Sequence, residues 1–387
     1  MNKKLLAMAV GAAIAFPGAA LADGPKVYGK VNVSLEQYEP ELSEYDDTLA
    51  VDALKEASQD RWQLDSNASR LGVKGDFDLD VANLTAIYKL EYEIAVDDGN
   101  AVFKQRNIFG GFKGGFGTIM AGNFDTPLKT SQGKIDQFND IDGDIKTILR
   151  GETRASNIIQ YSTPKLADMV TLNIAIMPAE NDDLNGGLDN KAKNDNGLAD
   201  KTSISAVFEQ GGLYAALAMD KNNDDKTLII DDTAGAPVDI LRLVLAYKTD
   251  AFELGLLHQT AEETDDDKSG FPTIVKAGEE TSTVLSGAFK MDRWKFKAQY
   301  GMTESSQLLK EDALNNNPRE LSDDPSLTLT AFGVDYKMAK ASKVYAYYAE
   351  VEADTGLTQD GINAINPLTA KKTLSDTTLG FGFEHKF

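Results

Sequence analysis

The segment Thr377-Thr378-Leu379-Gly380-Phe381-Gly382-Phe383-Glu384-His385-Lys386-Phe387 carries Leu379, Phe381, Phe383 and Phe387 on alternate positions. Successive side chains of a strand point to opposite faces, so this strand has one greasy face and one polar face bearing Thr378, Glu384 and Lys386. Chain ends usually fray, and a two-faced aromatic strand placed there is expected to close a sheet, with Phe381, Phe383 and Phe387 as its barrel-closing residues. Closed sheets are the only β structures that cross a bilayer, because no backbone group is left unpaired in lipid.

The other end of the sequence fits export. Lys3 and Lys4 precede an apolar run from Leu5 to Phe16, and Ala20-Leu21-Ala22 forms a small-residue cleavage signal. Residues 1–22 are therefore expected to be a signal peptide, too short to span a membrane, and 23–387 a single barrel domain. No later segment holds the ~20 consecutive apolar residues of a helical span.

Period-2 patterning runs through most of the chain. Leu241, Leu243, Leu245 and Tyr247 alternate with Arg242, Val244, Ala246 and Lys248, while Trp294, Phe296, Ala298 and Tyr300 alternate with Lys295, Lys297, Gln299 and Gly301. One face of each set is free of charge, as lipid demands: Lys or Arg at the midplane costs about 2–4 kcal/mol. Short connections near 78–81, 114–115, 164–168, 210–212, 249–251, 291–293 and 338–342 alternate with long polar ones, roughly 39–60, 124–152, 178–201, 221–238, 263–278, 305–324 and 353–373, and a shorter one at 97–101. Sixteen antiparallel strands result, an all-β transmembrane barrel wide enough for an aqueous channel.

Catalytic chemistry has little material. The only imidazoles are His258 and His385, and cysteine is absent. Both histidines share the parity of apolar neighbours and are expected to face outward. No enzyme, cofactor or metal is expected. Asp140-Ile141-Asp142-Gly143-Asp144 fails the calcium-loop pattern, which wants Gly at position six and Glu at twelve. The glycines of 110–117 lack the Lys-Ser/Thr of a phosphate cradle and suit a tight hairpin. A formal charge of −22 excludes nucleic acid as a partner.

The connection from about Phe124 to Thr153 exceeds the length at which loops usually become functional. It carries Ile135, Phe138, Ile141, Ile145, Ile148 and Leu149, too apolar for water, and is expected to fold onto the inner barrel wall. It would then present Asp136, Asp140, Asp142 and Asp144 to the channel. A basic wall facing them is available in Lys30, Arg70, Lys74, Lys104, Arg106 and Arg154, which share lumenal parity or, for Arg154, directly follow the loop.

With Val27-Tyr28-Gly29-Lys30, Ala68-Ser69-Arg70-Leu71-Gly72-Val73-Lys74-Gly75, Gly114-Gly115-Phe116-Gly117-Thr118, Arg154-Ala155-Ser156-Asn157-Ile158-Ile159-Gln160-Tyr161-Ser162-Thr163-Pro164 and the closing Gly380 to Phe387, the chain resembles the Gram-negative general porins from end to end. The resemblance implies a sixteen-stranded homotrimer in the outer membrane, surrounded by lipid and lipopolysaccharide and assembled by the barrel-assembly machinery through its last strand. It also implies an arginine cluster at Arg70, Arg106 and Arg154, with Lys30 beside it, facing carboxylates on an inward-folded third loop. The Pro-Glu-Phe-Gly-Gly motif of the enteric form of that loop is missing. The expected function is passive diffusion of ions and small hydrophilic solutes through a charged constriction. The alternatives are a substrate-selective channel with a solute-binding site, and a non-channel adhesion or receptor barrel.

Overall fold

A computed structural model describes residues 24–43, 60–81, 83–97, 103–178, 197–225, 236–264, 279–306, 325–354 and 373–387. The expected signal peptide lies outside them, as do most of the long connections other than the third.

Seventeen strand segments form one closed antiparallel sheet in which the last segment returns to pair with the first. β1 (Lys26–Ser43) pairs through its later half with β2 (Arg61–Ser66) and through its start with β3 (Arg70–Asp78). β2 and β3 are thus two halves of one stave, and the barrel has sixteen. The interruption is a bulge: Ala68 takes φ 47°, and the Ser69 hydroxyl accepts a bond from the Asn32 amide at 2.9 Å. Next come β4 (Thr85–Ile94), β5 (Phe103–Gly114), β6 (Gly117–Asp125), β7 (Arg154–Ser162), β8 (Val170–Met177) and β9 (Lys201–Gln210). β10 (Leu213–Asp225), β11 (Ala236–Lys248), β12 (Phe252–Glu263) and β13 (Glu279–Met291) follow, then β14 (Trp294–Ser305), β15 (Ser326–Ala339), β16 (Ser342–Asp354) and β17 (Thr373–Lys386).

The ring closes at β1 and β17, where Val33 faces Phe383 and Leu35 faces Phe381. Phe387 completes it: its amide donates to the Gly29 carbonyl at 3.1 Å and its own carbonyl accepts from Gly29 at 3.0 Å. Phe381, Phe383 and Phe387 all lie on the exposed outer face. So do Leu241, Leu243, Leu245 and Tyr247, as their alternation requires. His258 and His385 are exposed too, bonded to Thr283 and Ser342. Paired rings, Phe252 on Phe289 at 5.1 Å and Trp294 on Tyr336 at 4.7 Å, stand beside the short turns as an interfacial girdle would.

Most of the hydrophobic core involves more than the sheet. It forms where the third connection, Thr126 to Thr153, lies against the inner wall. This ledge starts with the short helix α1 (Pro127–Thr130), capped by Thr126, and carries one turn of 3-10 helix at Ile145–Thr147. Ile135, Ile145, Ile148 and Leu149 pack on Ala216, Val244, Leu257, Val284, Leu327 and Leu329 of β10–β15. Phe138 and Ile141 pack on Ala331, Tyr345, Tyr347 and Ala349 of β15 and β16. Glycines make the sockets: a Cβ on Gly255 would stand 2.7 Å from Ile135, one on Gly333 would stand 2.9 Å from Phe138, and one on Gly301 would collide with Ile148.

Candidate functional site

The ledge is pinned at both ends. Arg242 of β11, fully buried, donates to Glu152 at 2.8 Å, the Arg150 carbonyl at 2.9 Å, the Leu128 carbonyl at 3.3 Å and Gln259 at 2.7 Å. Arg150 is buried as well and pairs with Glu280 of β13 at 2.9 Å. Further along, Thr303 donates to the Ile148 carbonyl at 2.5 Å and Gln299 to the Gly143 carbonyl at 2.9 Å. Neither Arg150 nor Arg242 belonged to the expected basic wall. Parity placed Arg242 on the polar face, but nothing in the sequence marks it as a clasp.

At its tip the ledge crosses to the opposite wall. Asp140, in a left-handed conformation at φ 69°, accepts from Lys30 of β1 at 2.7 Å and from Arg70 of β3, with Arg106 of β5 at 4.0 Å. Arg106 also meets Glu93 at 2.6 Å and Glu91 at 3.3 Å. These two wall carboxylates were missed as site residues, although both lie on the polar side of β4. Burial works against ionised Asp140, but Lys30 and Arg70 outweigh it, and its pKa falls below the ordinary aspartate value.

A bulge supplies the next pair. Between Leu90–Ile108 and Tyr92–Gln105 the register shifts, so Arg106 and Asn107 together oppose Glu91. A bulge of this kind re-aims a side chain, and here two consecutive residues serve the lumen. Asn107 accepts from the Nε of Arg154 at 2.7 Å and donates to Asp125 at 2.9 Å. Asp125 also holds Arg154 at 3.1 Å and Lys129 at 3.4 Å. Lys30, Arg70 and Arg106 thus gather on one carboxylate, and Arg154 stands in a neighbouring group.

Two expected bases stand apart. Lys74 is four residues beyond Arg70, about 13 Å along the strand, exposed and 4.9 Å above the Tyr28 ring. Lys104 is exposed near the start of β5, in register with Glu93. Shared parity fixes the face of a strand but not the height. The loop acids also differ from expectation: of the four, only Asp140 meets the basic cluster. Asp136 is turned under the ledge, accepting from the Phe138 amide at 2.9 Å and Gln299 at 3.3 Å. Burial, reinforced by Asp144, pushes its pKa well above the usual value. Asp142 accepts from Thr378 at 2.9 Å. Asp144 is buried and accepts from the Asp140 and Lys146 amides, both at 2.9 Å. Loop acids settle onto amide donors wherever the apolar side of the loop buries them. By contrast Lys134 is exposed on the ledge, and the Lys146 side chain is 58% exposed. Among the described residues, no cluster of His, Cys, Asp and Glu could hold a metal ion.

Comparison with known proteins agrees with this architecture. The family model for the Gram-negative porin matches residues 7–356. The major outer membrane protein P.IB of Neisseria gonorrhoeae is 25% identical over 263 residues, covering 67% of this chain and 71% of the relative. The corresponding protein of Neisseria lactamica is 27% identical over 260 residues, covering 65% and 68%. Among solved structures, the anion-selective porin from Comamonas acidovorans superposes with a TM-score of 0.62 at 18% identity, covering 94% of this chain and all (100%) of that one. Outer-membrane expressed OmpT of Vibrio cholerae gives 0.61 at 19%, covering 96% and 99%. The closed barrel with its ledge and the family match over most of the chain give one conclusion: this chain belongs to the Gram-negative porin family and is an outer-membrane porin, a channel.

Proposed function

We propose that solutes cross this porin by passive diffusion through a charged constriction that prefers small anions. The lumen narrows between the ledge and the wall of β3–β8. The observation that carries the reading is how the loop carboxylates are used: Asp136, Asp142 and Asp144 are turned to internal donors, and Asp140 is shared by three bases. Lys146, Lys134, Lys129, Arg106 and Arg154 supply the remaining field, tempered by Glu91, Glu93, Asp125 and by Asp144, which pairs with Lys146 at 3.3 Å. Such a field acts across a partly desolvated gap, and a Debye length of about 10 Å at 0.1 M salt weakens it as salt rises. The similar fold of the anion-selective porin from Comamonas acidovorans is in line with this reading.

The mature chain begins near Asp23, and its single barrel stands in lipid and lipopolysaccharide after assembly through the last strand. A homotrimer is the proposed assembly, in line with the trimeric form of Vibrio cholerae OmpT.

Reversal potential in a planar bilayer under a salt gradient tests the reading. Wild-type channels are expected to favour chloride over potassium, and Arg106→Ala to lower that ratio by about twofold at 0.1 M salt while raising conductance. A cation-favouring wild type, or an Arg106→Ala channel with unchanged potential, overturns it.

A further inference from the structure

Most of the apolar inner wall is bedding for the ledge, but one patch is only partly covered. Phe109 and Phe124 meet edge to face with centroids 5.6 Å apart, packed with Met120, Ile158, Ala175 and Met177. Alternation sets this patch inside the barrel: Ile119, Ile159 and Ile174, each one residue away, are exposed on the outer face. The patch contains no residue of the ledge, and its edge, Phe109 with Met120, is only half-buried. A water-filled lumen gives no physical reason to leave an aromatic ring and a thioether at its surface.

Cationic groups adjoin that edge. Asn107 is two residues before Phe109, a step of about 7 Å along the strand, and it bonds the Arg154 guanidinium at 2.7 Å. Lys129 shares Asp125 with Arg154. A guanidinium carries five donors on three nitrogens. Nε and Nη2 of Arg154 face Asn107 and Asp125, so Nη1 still has donors for a carboxylate. A half-exposed ring one short step from a guanidinium matches a solute that is anionic at one end and apolar at the other.

We propose that this wall is a subsite for organic carboxylates with an aromatic or branched apolar body, the carboxylate on Arg154 and Lys129 and the body on Phe109 and Met120. The proposal rests on the anion-preferring constriction and narrows its substrate class. Ions without an apolar part pass without lingering, whereas such carboxylates dwell and saturate the channel.

The test titrates chloride current through the full-length protein in a planar bilayer with sodium benzoate, sodium acetate or benzyl alcohol. Benzoate is expected to reduce the current saturably at concentrations roughly tenfold below acetate, the effect of one buried apolar body, with benzyl alcohol inert. Phe109→Ala is expected to bring benzoate to the acetate level, and Arg154→Gln to weaken both. Benzoate and acetate acting alike on a chloride-favouring wild type overturns the subsite and leaves the constriction reading standing. A cation-favouring wild type overturns both. The wild-type comparison decides the matter even where a variant fails to fold.

Discussion

The two halves of the inner wall have been given opposite work. Along β10–β16 the lumenal positions include Ala216, Val244, Leu257, Val284, Leu329, Ala331 and Ala349, small or aliphatic residues that a water-filled barrel would not select, and the ledge covers them. Along β1–β6 many of the corresponding positions, Lys30, Arg70, Lys89, Glu91, Arg106 and Asp125, stay polar and charge-paired, with Phe109, Met120 and Phe124 as the apolar exception. One half is a protein core shifted inside a channel; the other is the channel's working surface. The difference shows how a barrel too wide to fill itself can still fix a narrow opening: apolar burial holds the ledge, and charge does the sorting.

The comparison is broken most severely at Arg242. Replacing it with Met leaves the largely buried Glu152 carboxylate without its cation and strips one donor each from the Leu128 and Arg150 carbonyls, a loss of about 3–5 kcal/mol. Thermal unfolding in detergent should move to lower temperature, and bilayer currents should become noisy as the foot of the ledge loosens. Gly301→Val comes next. Its side chain occupies the Ile148 socket, overpacking costs about 1–3 kcal/mol, and the displaced ledge should widen the pore, read as raised conductance with weaker selectivity.

A smaller contrast sets Asp140 against Asp136. The native pKa of Asp140 is depressed, so its ionised form stabilises the tip at pH above the ordinary value of 3.8 and that contribution is lost as pH falls through the lower native value. Asp136 is raised, so its contribution is present below 3.8 and lost as pH rises through the raised native value. At neutral pH, Asp140→Asn is expected to loosen the tip by about 2 kcal/mol, while Asp136→Asn leaves it as stable or firmer. Open-channel noise recorded from pH 7 down to pH 3 should show the Asp140 difference fading. Lys74→Ala and Lys104→Ala sharpen the comparison from the other side: both residues are exposed and apart from the Asp140 cluster, so reversal potential and thermal midpoint should stay at wild-type values.

Much of this was legible before any coordinate. Alternation read off Leu241 to Tyr247 and Leu379 to Phe387 gives the outer face directly, because lipid tolerates few exceptions, and the short turns fall where glycine and charge interrupt it. The six apolar residues of the third connection announced that it would bed on a wall. What stayed hidden depends on height and local backbone. Lys74 has the right parity at the wrong level. Asn107 joins the lumen only through the shift opposite Glu91. The loop acids could not be assigned, since whether Asp136 faces water or Gln299 depends on how the apolar side of the loop seats.

The ledge also sets an order of assembly. Asp142 meets Thr378, a partner 236 residues further along the chain, and Gln137 meets Gln299, 162 residues further. Contacts at such separations repay chain entropy only after the intervening segments are in place. A nascent barrel must therefore pass through a stage with its last staves unpaired and the ledge unseated, wide before it is narrow. The constriction, the part that discriminates among solutes, is among the last features to acquire its native form.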